Sequence, residues 1–372
     1  MGKFTGFCGP SNRQQSPTAN AEWTVNLFAR AVGAGTPKSD PQLYKRPGLH
    51  LWAYGGAGPV TALFAQDGRA FAVIGSVFYE ILPSQNLIAR GYVNPSPIQA
   101  TISSSGQQGH QLFITSGGSG WIYDLITNVF TKITDPAFPS PVVMGLFFNS
   151  AFLALSGTDG KFLVSGLYDG LSWNALDAGI ESQFSDQIIC FGRSHDNLVL
   201  GGSRNTAIWV DDGTGGAAGF VPQPGTIIEH GILAPFTFIE ADNTAWWLGQ
   251  DKEGAKMFWR LDGYTPSRVS TAAVEFDLAR VGSQIANSIA FAFQMQGETF
   301  IVLYVPGLDT SWVYALSVQM WFEWGHWNTD NELFIPWRPQ CHCYAFGTHL
   351  FGDRTTGAIF EGSLSFLGDE TF

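Results

Sequence analysis

Residues 233–276 read LAPFTFIEADNTAWWLGQDKEGAKMFWRLDGYTPSRVSTAAVEF and contain short apolar segments separated by polar turn residues. Three segments lie at 235–240, 244–248 and 256–261, and a fourth follows at 266–270. Short apolar runs bounded by Asp, Asn, Gly or Gln are typical of β-strands and not of helices. Four strands in about forty residues predict one antiparallel meander, the size of one blade of a β-propeller.

The same unit is repeated along the chain. It consists of an apolar strand, a polar turn, a second apolar strand, a glycine-containing turn and a third strand with aromatic residues. Counting the first stretch, it occurs at residues 60–82, 98–125, 142–170, 188–210, 233–276, 289–316 and 343–364. The second strands of successive copies begin about 40 to 55 residues apart, which is the period of propeller blades. Stacking such sheets around an axis buries their apolar faces and leaves only short exposed edges.

The seventh copy lacks an obvious fourth strand, and residues 48–54 (GLHLWAY) can supply it. We therefore predict an all-β protein, a seven-bladed β-propeller spanning residues 47–372 and closed by this N-terminal strand. Because the repeat spacing drifts, six blades with an accessory sheet is the alternative. Residues 1–46 are polar without periodicity and predict an extended arm that is ordered only by partners or by packing on the body. Residues 270–285 are the one predicted helix, with Ser270 or Thr271 as its cap.

Charge and cysteine content narrow the classes of function. The 372 residues include 19 Lys and Arg against 31 Asp and Glu, which gives a net charge of −12. Such a chain gains little affinity from neutralising phosphates, so a DNA-gripping surface is disfavoured, although DNA can pass an acidic surface. Four cysteines are too few for a disulfide scaffold and indicate reduced thiols. Because no apolar run approaches a signal peptide or the ~20 residues of a membrane helix, we expect synthesis in a cytoplasm and no membrane-spanning segment.

The sequence contains no pattern that predicts catalysis or a cofactor. Cys341-His342-Cys343 lacks the spacing and the second pair of a zinc site, which favours buried thiols in a strand. The stretch 165–173 (SGLYDGLSW) resembles the Asp-box of sialidase-like propellers, but it occurs once, with altered spacing, and such a box stabilises a turn. A glycosidase needs two carboxylates about 5–10 Å apart. No spacing singles out a pair among Glu181, Asp186, Glu229, Glu240, Asp242 and Asp251. We predict no catalytic residue, no metal ligand and no cofactor.

An ordered series of stretches links the chain to a family. The matching stretches are residues 229–235 (EHGILAP), 247–251 (WLGQD), 260–271 (RLDGYTPSRVST), 312–316 (WVYAL), 343–346 (CYAF), 349–353 (HLFGD) and 357–361 (GAIFE). Residues 22–27, 46–49 and 167–173 match more loosely. In this order they resemble the packaged-DNA stabilisation proteins of short-tailed bacteriophages, also called tail hub or nozzle proteins. The series carries the resemblance, because no single stretch is diagnostic.

The resemblance implies a structural role in the virion tail. It implies a propeller body assembled as a homohexameric ring below the adaptor protein that follows the portal. The ring would continue the DNA exit channel and help to retain packaged DNA, and double-stranded DNA would pass its lumen without specific binding. A tail needle or plug would close the channel, tailspikes or fibres would dock around it, and assembly would take place in the host bacterial cytoplasm. The resemblance brings no catalytic residues.

Two predicted loops and the arm are the candidates for ring contacts or for the channel tip. Residues 211–225 are rich in Gly and Pro, and residues 325–338 carry two Trp and a Phe. Long loops on a rigid scaffold usually carry contacts, and tolerated surface insertions are the alternative. The candidate residues are Asp211, Asp212, Phe220, Trp324, Trp327, Phe334 and Trp337 in the loops, with Trp23 and Phe28 in the arm.

Two other functions stay open at this point. One is a propeller-type glycosidase or depolymerase. The other is a carbohydrate-binding tail protein that uses the dense tryptophans at positions 321, 324, 327 and 337, which suit either an exposed contact or core packing.

Overall fold

The computed structural model of the protein describes residues 9–12, 22–30, 42–182, 186–214, 219–329 and 331–370. Within these residues, seven antiparallel sheets of four or five strands form the blades of a β-propeller. One further two-stranded sheet lies against the body. The predicted all-β class and the seven blades are confirmed.

The strands follow one another in chain order around the ring. The N-terminal part contains β1 at Leu27–Arg30, β2 at Gln42–Lys45 and β3 at Gly48–Tyr54. Blade 1 consists of β4 to β7, at Val60–Gln66, Arg69–Ile74, Val77–Ile81 and Leu87–Tyr92. Blade 2 consists of β8 to β11, at Thr101–Ser104, Gln111–Ser116, Ser119–Asp124 and Phe130–Lys132. Blade 3 consists of β12 to β15, at Val142–Phe148, Ala151–Ser156, Phe162–Leu167 and Asp169–Gly179.

The second half of the ring follows the same order. Blade 4 consists of β16 to β19, at Ile188–Ser194, Asn197–Gly202, Thr206–Asp211 and Phe220–Pro222. Blade 5 consists of β20 to β24, at Gly231–Ile232, Ile239–Ala241, Thr244–Gln250, Lys256–Asp262 and Thr265–Arg268. Blade 6 consists of β25 to β29, at Ile289–Met295, Glu298–Tyr304, Ser311–Ala315, Met320–Asn328 and Leu333–Pro336. Blade 7 combines β3 with β30 to β32, at Pro339–Ala345, Thr348–Asp353 and Ala358–Ser363.

Burial on both faces explains the near-continuous apolar runs of the second strands. In β13 and in the first six residues of β22, every residue is buried, because a neighbouring blade packs on each side of the sheet. A strand covered on one face only would alternate apolar and polar residues instead. The outer strand β7 is partly or largely exposed along its whole length. The pattern that made the blades recognisable is therefore a consequence of their stacking.

The ring is closed by the N-terminal strand, as predicted. β3 pairs antiparallel with β32, from Gly48 opposite Ser363 to Tyr54 opposite Ala358. Blade 7 therefore takes three strands from one end of the chain and its outermost strand from the other. Backbone hydrogen bonds thus fasten the N-terminal segment that leads into blade 1 to the last blade of the ring.

The predicted helix is present but shorter than expected. α1 is a single turn at Gly106–Gly109, and α2 covers Ala272–Arg280. Thr271 is the N-cap residue of α2, and its side chain makes no capping hydrogen bond. The chain leaves helical geometry at Val281 and Gly282 and then forms a 3-10 turn at Ser283–Asn287. A second 3-10 turn lies at Pro235–Thr237, where the sequence predicted the beginning of a strand.

The described parts of the N-terminal arm pack on the body of the same chain. β1 and β2 pair with each other, and Phe28 packs against the rings of Phe300 and Trp324, with ring centroids 4.8 and 6.2 Å away. Trp23 donates its indole N–H to Glu323 at 3.0 Å. The β1–β2 pair gives regular structure to this part of the arm. Residues 1–8, 13–21 and 31–41 of the predicted arm lie outside the described residues.

A buried ion pair fastens the arm to the C-terminal tail. Arg46 donates to both oxygens of Asp369 at 2.7 Å, and also to the carbonyl of Gly325 at 3.0 Å. His326 Nδ1 lies 3.2 Å from Asp369 Oδ2. Burial opposes ionisation of Asp369, but the bonds from His326 and Arg46 and the charge of Arg46 outweigh it and hold the pKa of Asp369 at about 2. We refer to this pair as the Arg46–Asp369 clasp.

Candidate functional site

Four of the nine candidate contact residues lie in the hydrophobic core. Phe28, Phe220, Trp324 and Trp337 are each at most 6% exposed. Trp324 and Trp337 pack edge to face at 5.1 Å, and the Trp324 indole donates to the carbonyl of Leu27 at 3.2 Å. These side chains have no surface to offer another molecule, which corrects the expectation for all four. The tryptophans at 321, 324 and 337 pack in the core, and of the dense set only Trp327 is exposed.

The segment 325–338 is a β-hairpin and not a loop. β28 continues through Asn328 and pairs with β29, with Trp327 opposite Phe334. Trp337 at the end of this segment, like Trp324 just before it, packs in the core of the propeller. The expected loop at 211–225 is also partly regular, since Phe220–Pro222 forms β19. Residues 215–218 of that loop lie outside the described residues.

The remaining candidates are at the surface. Trp23 is 58% exposed and Trp327 is 55% exposed. Asp212 is exposed in the turn after β18, while Asp211 and Phe334 are half-buried. Asp212 accepts hydrogen bonds from the backbone and hydroxyl of Thr214, and the backbone bond in particular lowers its pKa. The structure does not bring these residues together into one site, because they belong to the arm, to blade 4 and to blade 6.

The propeller axis holds a small cavity to which every blade contributes. Its volume is about 270 Å³. Blades 1 to 7 contribute, in this order, Leu63, Ile102, Leu146, Phe191, Phe236, Phe291 and His342 to its lining. A sphere of that volume is about 8 Å across, whereas the major groove alone of a DNA duplex is about 12 Å wide. A DNA duplex therefore cannot pass along the axis of a single propeller.

A larger polar cavity lies between blades 6 and 7. We call it the blade 6/7 cleft; its volume is about 450 Å³, and it is lined by the β28–β29 hairpin, Arg338 and the turn 353–356. Asp353 is fully buried and accepts from Arg338, Thr355 and Thr356. The guanidinium of Arg354 lies 4.0 Å from the centre of the Tyr304 ring. Sequence reasoning missed this cleft; the turn DRTTG in a chain with few basic residues was the available signal.

The Cys-His-Cys stretch lies in β30, as expected for strand residues. Burial raises the pKa of the Cys343 thiol to about 12, and Cys341 lies 3.3 Å from the carbonyl of Val60. His342 Nε2 is 3.1 Å from His349 Nδ1. Burial and then the neighbouring His349 lower the pKa of His342 to about 3, so this imidazole is neutral. Within the described ranges, no group of three or more His, Cys, Asp or Glu side chains is arranged to hold a metal ion.

The carboxylates considered for glycoside hydrolysis hold local structure. Glu181 accepts the indole N–H of Trp209 at 2.6 Å, and Asp186 accepts the backbone N–H of Arg204 at 2.6 Å. Asp251 accepts two backbone N–H groups within its own turn. Such bonds are those of turn and core residues. Glu240 pairs with Arg193 and Asp242 with Arg260. Glu229, which lines the same cavity as Asp251, pairs with Lys252.

The Asp-box-like stretch also stabilises a turn. Ser165 Oγ accepts the backbone N–H of Phe152 at 2.9 Å. Asp169 accepts the backbone N–H of Leu171, and the indole of Trp173 donates to the carbonyl of Gly170 at 2.7 Å. The bonds of Asp169 and Trp173 shape the turn that begins β15, and the bond of Ser165 joins β14 to β13.

In the part of the chain that the structure describes, no helix has the length and apolar character needed to cross a membrane.

The fold defines the class: a seven-bladed β-propeller whose axis holds only a small cavity. The family model Phage_stabilise, described as Bacteriophage P22 Gp10, beta-propeller, matches residues 12–365. The chain belongs to this family of bacteriophage stabilisation proteins. No curated protein sequence matches it.

Solved structures show the same fold at low sequence identity. The extracellular domain of the two-component system BT4673 from B. thetaiotaomicron is 8% identical, with a TM-score of 0.56, and the match covers 85% of this chain and 39% of that one. That of BT3049 from the same organism is 10% identical, with a TM-score of 0.52 over 83% of this chain and 40% of that one. A chain of the Mitotic Checkpoint Complex is 12% identical, with a TM-score of 0.51, and the match covers 89% of this chain and 98% of that one. The chain thus spans about two-fifths of the first two proteins, and these likenesses concern the fold alone.

Proposed function

We propose that this protein is a tail nozzle or hub of the virion, in which six copies form a ring that continues the DNA exit channel and helps to retain packaged DNA. The observation that carries the proposal is the axial cavity of about 270 Å³ in a member of a phage stabilisation family. Because this axis is too narrow for a duplex, a DNA channel built from the protein has to lie between copies. A ring of propellers used as rigid wedges meets that requirement.

The charge of the chain suits a channel wall that DNA passes. A net charge of −12 leaves few cations to replace the counterions of DNA. Many of the basic groups are already engaged, as in the pairs of Arg193 with Glu240 and of Arg268 with Glu275. Double-stranded DNA would therefore move through the lumen without specific binding.

The partners in this proposal are the copies of the ring, the tail adaptor protein, a needle or plug that closes the channel, and tailspikes or fibres. Trp23 on the arm and the turn at Asp211 and Asp212 are our candidates for ring contacts, with the β28–β29 hairpin at Trp327 and Phe334 as a further one. Exposed Trp is a frequent anchor of protein interfaces. Free buried thiols at Cys190 and Cys343 suit assembly in the reducing cytoplasm of a host bacterium.

Electron microscopy of virions or isolated tails tests the proposal directly. We expect six copies around a lumen wide enough for DNA, and native mass spectrometry of the purified protein should show a hexamer. Trp23→Ala should weaken the ring, whereas Tyr92→Ala, which removes an aromatic side chain 78% exposed on blade 1, should not. Absence of the protein from virions would end the proposal, and so would a density map that places single copies away from the channel.

A further inference from the structure

The blade 6/7 cleft carries a charge that the surrounding side chains do not neutralise. The carboxylate of Asp353 is engaged by Arg338 and by two threonine hydroxyls. Arg354 instead donates to the backbone carbonyls of Trp337, at 2.8 Å, and Pro336, at 3.4 Å. Among the ion pairs of the described residues, none involves Arg354. Burial lowers its pKa, which shows the cost of holding this cation away from water.

The lining of the cleft also includes an exposed aromatic side chain and polar groups. Trp327 is 55% exposed, although it lies on a regular hairpin whose other tryptophan neighbours are buried. Thr329 and Thr355 add hydroxyl groups to the lining. Ile335 is the other apolar lining side chain among the described residues. A volume of about 450 Å³ lies in the range of small-ligand sites, which is roughly 300–1,000 Å³.

We propose that the blade 6/7 cleft binds an acidic saccharide residue, one that carries a carboxylate on a sugar ring. The Trp327 indole lies against the apolar face of the ring, the carboxylate pairs with Arg354, and the threonine hydroxyls meet the hydroxyl groups of the sugar. A charge-assisted bond to Arg is stronger than a neutral one and is directional. The proposal gives Trp327 a use other than a ring contact, and it does not depend on the ring.

Two other ligands fit the cleft less well. A peptide anchored by apolar side chains requires a desolvated apolar pocket, and this cleft offers only Trp327 and Ile335. Phosphate sites generally combine several cations or converging backbone N–H groups. Here Arg338 is already engaged by Asp353, so Arg354 is the cation left for a ligand. One carboxylate against one guanidinium, beside an aromatic face, fits this arrangement.

Ligand-observed NMR titration of the full-length protein tests the proposal with two matched oligosaccharides. One ends in glucuronic acid, and the other has glucose at the same position. We expect the acidic oligosaccharide to bind about tenfold more tightly, which corresponds to one charge-assisted hydrogen bond over a neutral one. Trp327→Ala should abolish binding of both, and Trp327→Phe should retain part of it because an aromatic face remains. Arg354→Lys should reduce the preference for the acidic ligand, since Lys lacks the planar fork.

Leu333→Ala is the matched control. Leu333 is 59% exposed on the same hairpin and does not line the cleft, so its variant should bind as the unchanged protein does. Failure of both oligosaccharides to bind at millimolar concentration would overturn the proposal. Binding that survives Trp327→Ala would overturn it too, as would a tetraglutamate peptide that binds more tightly than the acidic oligosaccharide. Hexamer formation is measured separately, so none of these binding results tests the proposed ring.

Discussion

Substitution Asp369→Asn tests how the arm and the C-terminal tail are held to the propeller. The change keeps the shape of the side chain and removes its charge. Arg46 and Asp369 have side chains only 10% and 5% exposed, so Arg46 would be left in a buried position without a carboxylate. The backbone N–H of Leu49, which donates to Asp369 Oδ1 at 3.2 Å, would also lose an ionised acceptor. Because Leu49 belongs to β3, the effect should reach the closing strand.

The magnitude follows from the pKa of Asp369. The folded protein holds this pKa at about 2, below the ordinary value of 3.8. One pKa unit corresponds to about 1.4 kcal/mol, so ionised Asp369 contributes about 2 kcal/mol to the free energy of unfolding. Since the folded pKa is depressed, this contribution is fully present above the unfolded pKa near 4. It is lost as the pH falls from about 4 to about 2.

Urea denaturation at a series of pH values measures this contribution. At pH 7 the Asp369→Asn protein should be less stable than the unchanged protein by about 2 kcal/mol. The difference should shrink as the pH falls through 4 towards 2. Glu332→Gln, which removes an exposed carboxylate from the tip of the β28–β29 hairpin, should leave stability within about 0.5 kcal/mol. Equal stabilities at pH 7, or a difference that persists undiminished near pH 2, would refute the reasoning.

Three other outcomes are expected. Glu80→Gln leaves Arg69 and Arg90 without the carboxylate that both contact, and should lower the free energy of unfolding measured in urea by about 3 kcal/mol. A decrease below about 1 kcal/mol would contradict this role. Trp246→Ala leaves a cavity at a fully buried position in blade 5 and should lower the free energy of unfolding in urea by about 3–5 kcal/mol. A nearly unchanged free energy of unfolding would show that the blades repack around the cavity. Burial raises the pKa of the Cys190 thiol, so iodoacetamide should label Cys190 in urea but not in buffer. Peptide mass mapping measures the labelling, and rapid labelling in buffer would indicate that blade 4 opens.

The blades were predictable from sequence because the propeller buries its second strands on both faces. Seven runs such as those around Phe71 and Leu350 recur at one period, and few other folds demand that pattern. The closing strand was predictable for a related reason: the last copy lacked a strand, and Gly48–Tyr54 was the apolar segment left over. Both inferences needed only the local apolar pattern of each strand and the number of strands in each repeat.

The surfaces were less predictable, because they depend on contacts between distant parts of the chain. The sequence left open whether Trp324 and Trp337 form an exposed contact or pack in the core. Both are buried, and the Trp324 indole donates to Leu27 of the arm, which lies nearly 300 positions away. The blade 6/7 cleft needs a hairpin from one blade and a turn from the next. No local spacing connects Trp327 with Arg354, so their proximity was visible only in the folded chain.

The pairing of β3 with β32 has a consequence for synthesis. About 300 residues separate these two strands, and a ribosome adding roughly 5–20 residues per second needs on the order of 15–60 s to cover that distance. During this interval the other blades are synthesised while β3 at Gly48–Tyr54 has no β32 to pair with. A nascent chain halted before blade 7 keeps an open ring in which one apolar face of blade 1 and one of blade 6 are uncovered, and chaperones and proteases can recognise such surfaces. The ring therefore closes only after the last blade has been translated.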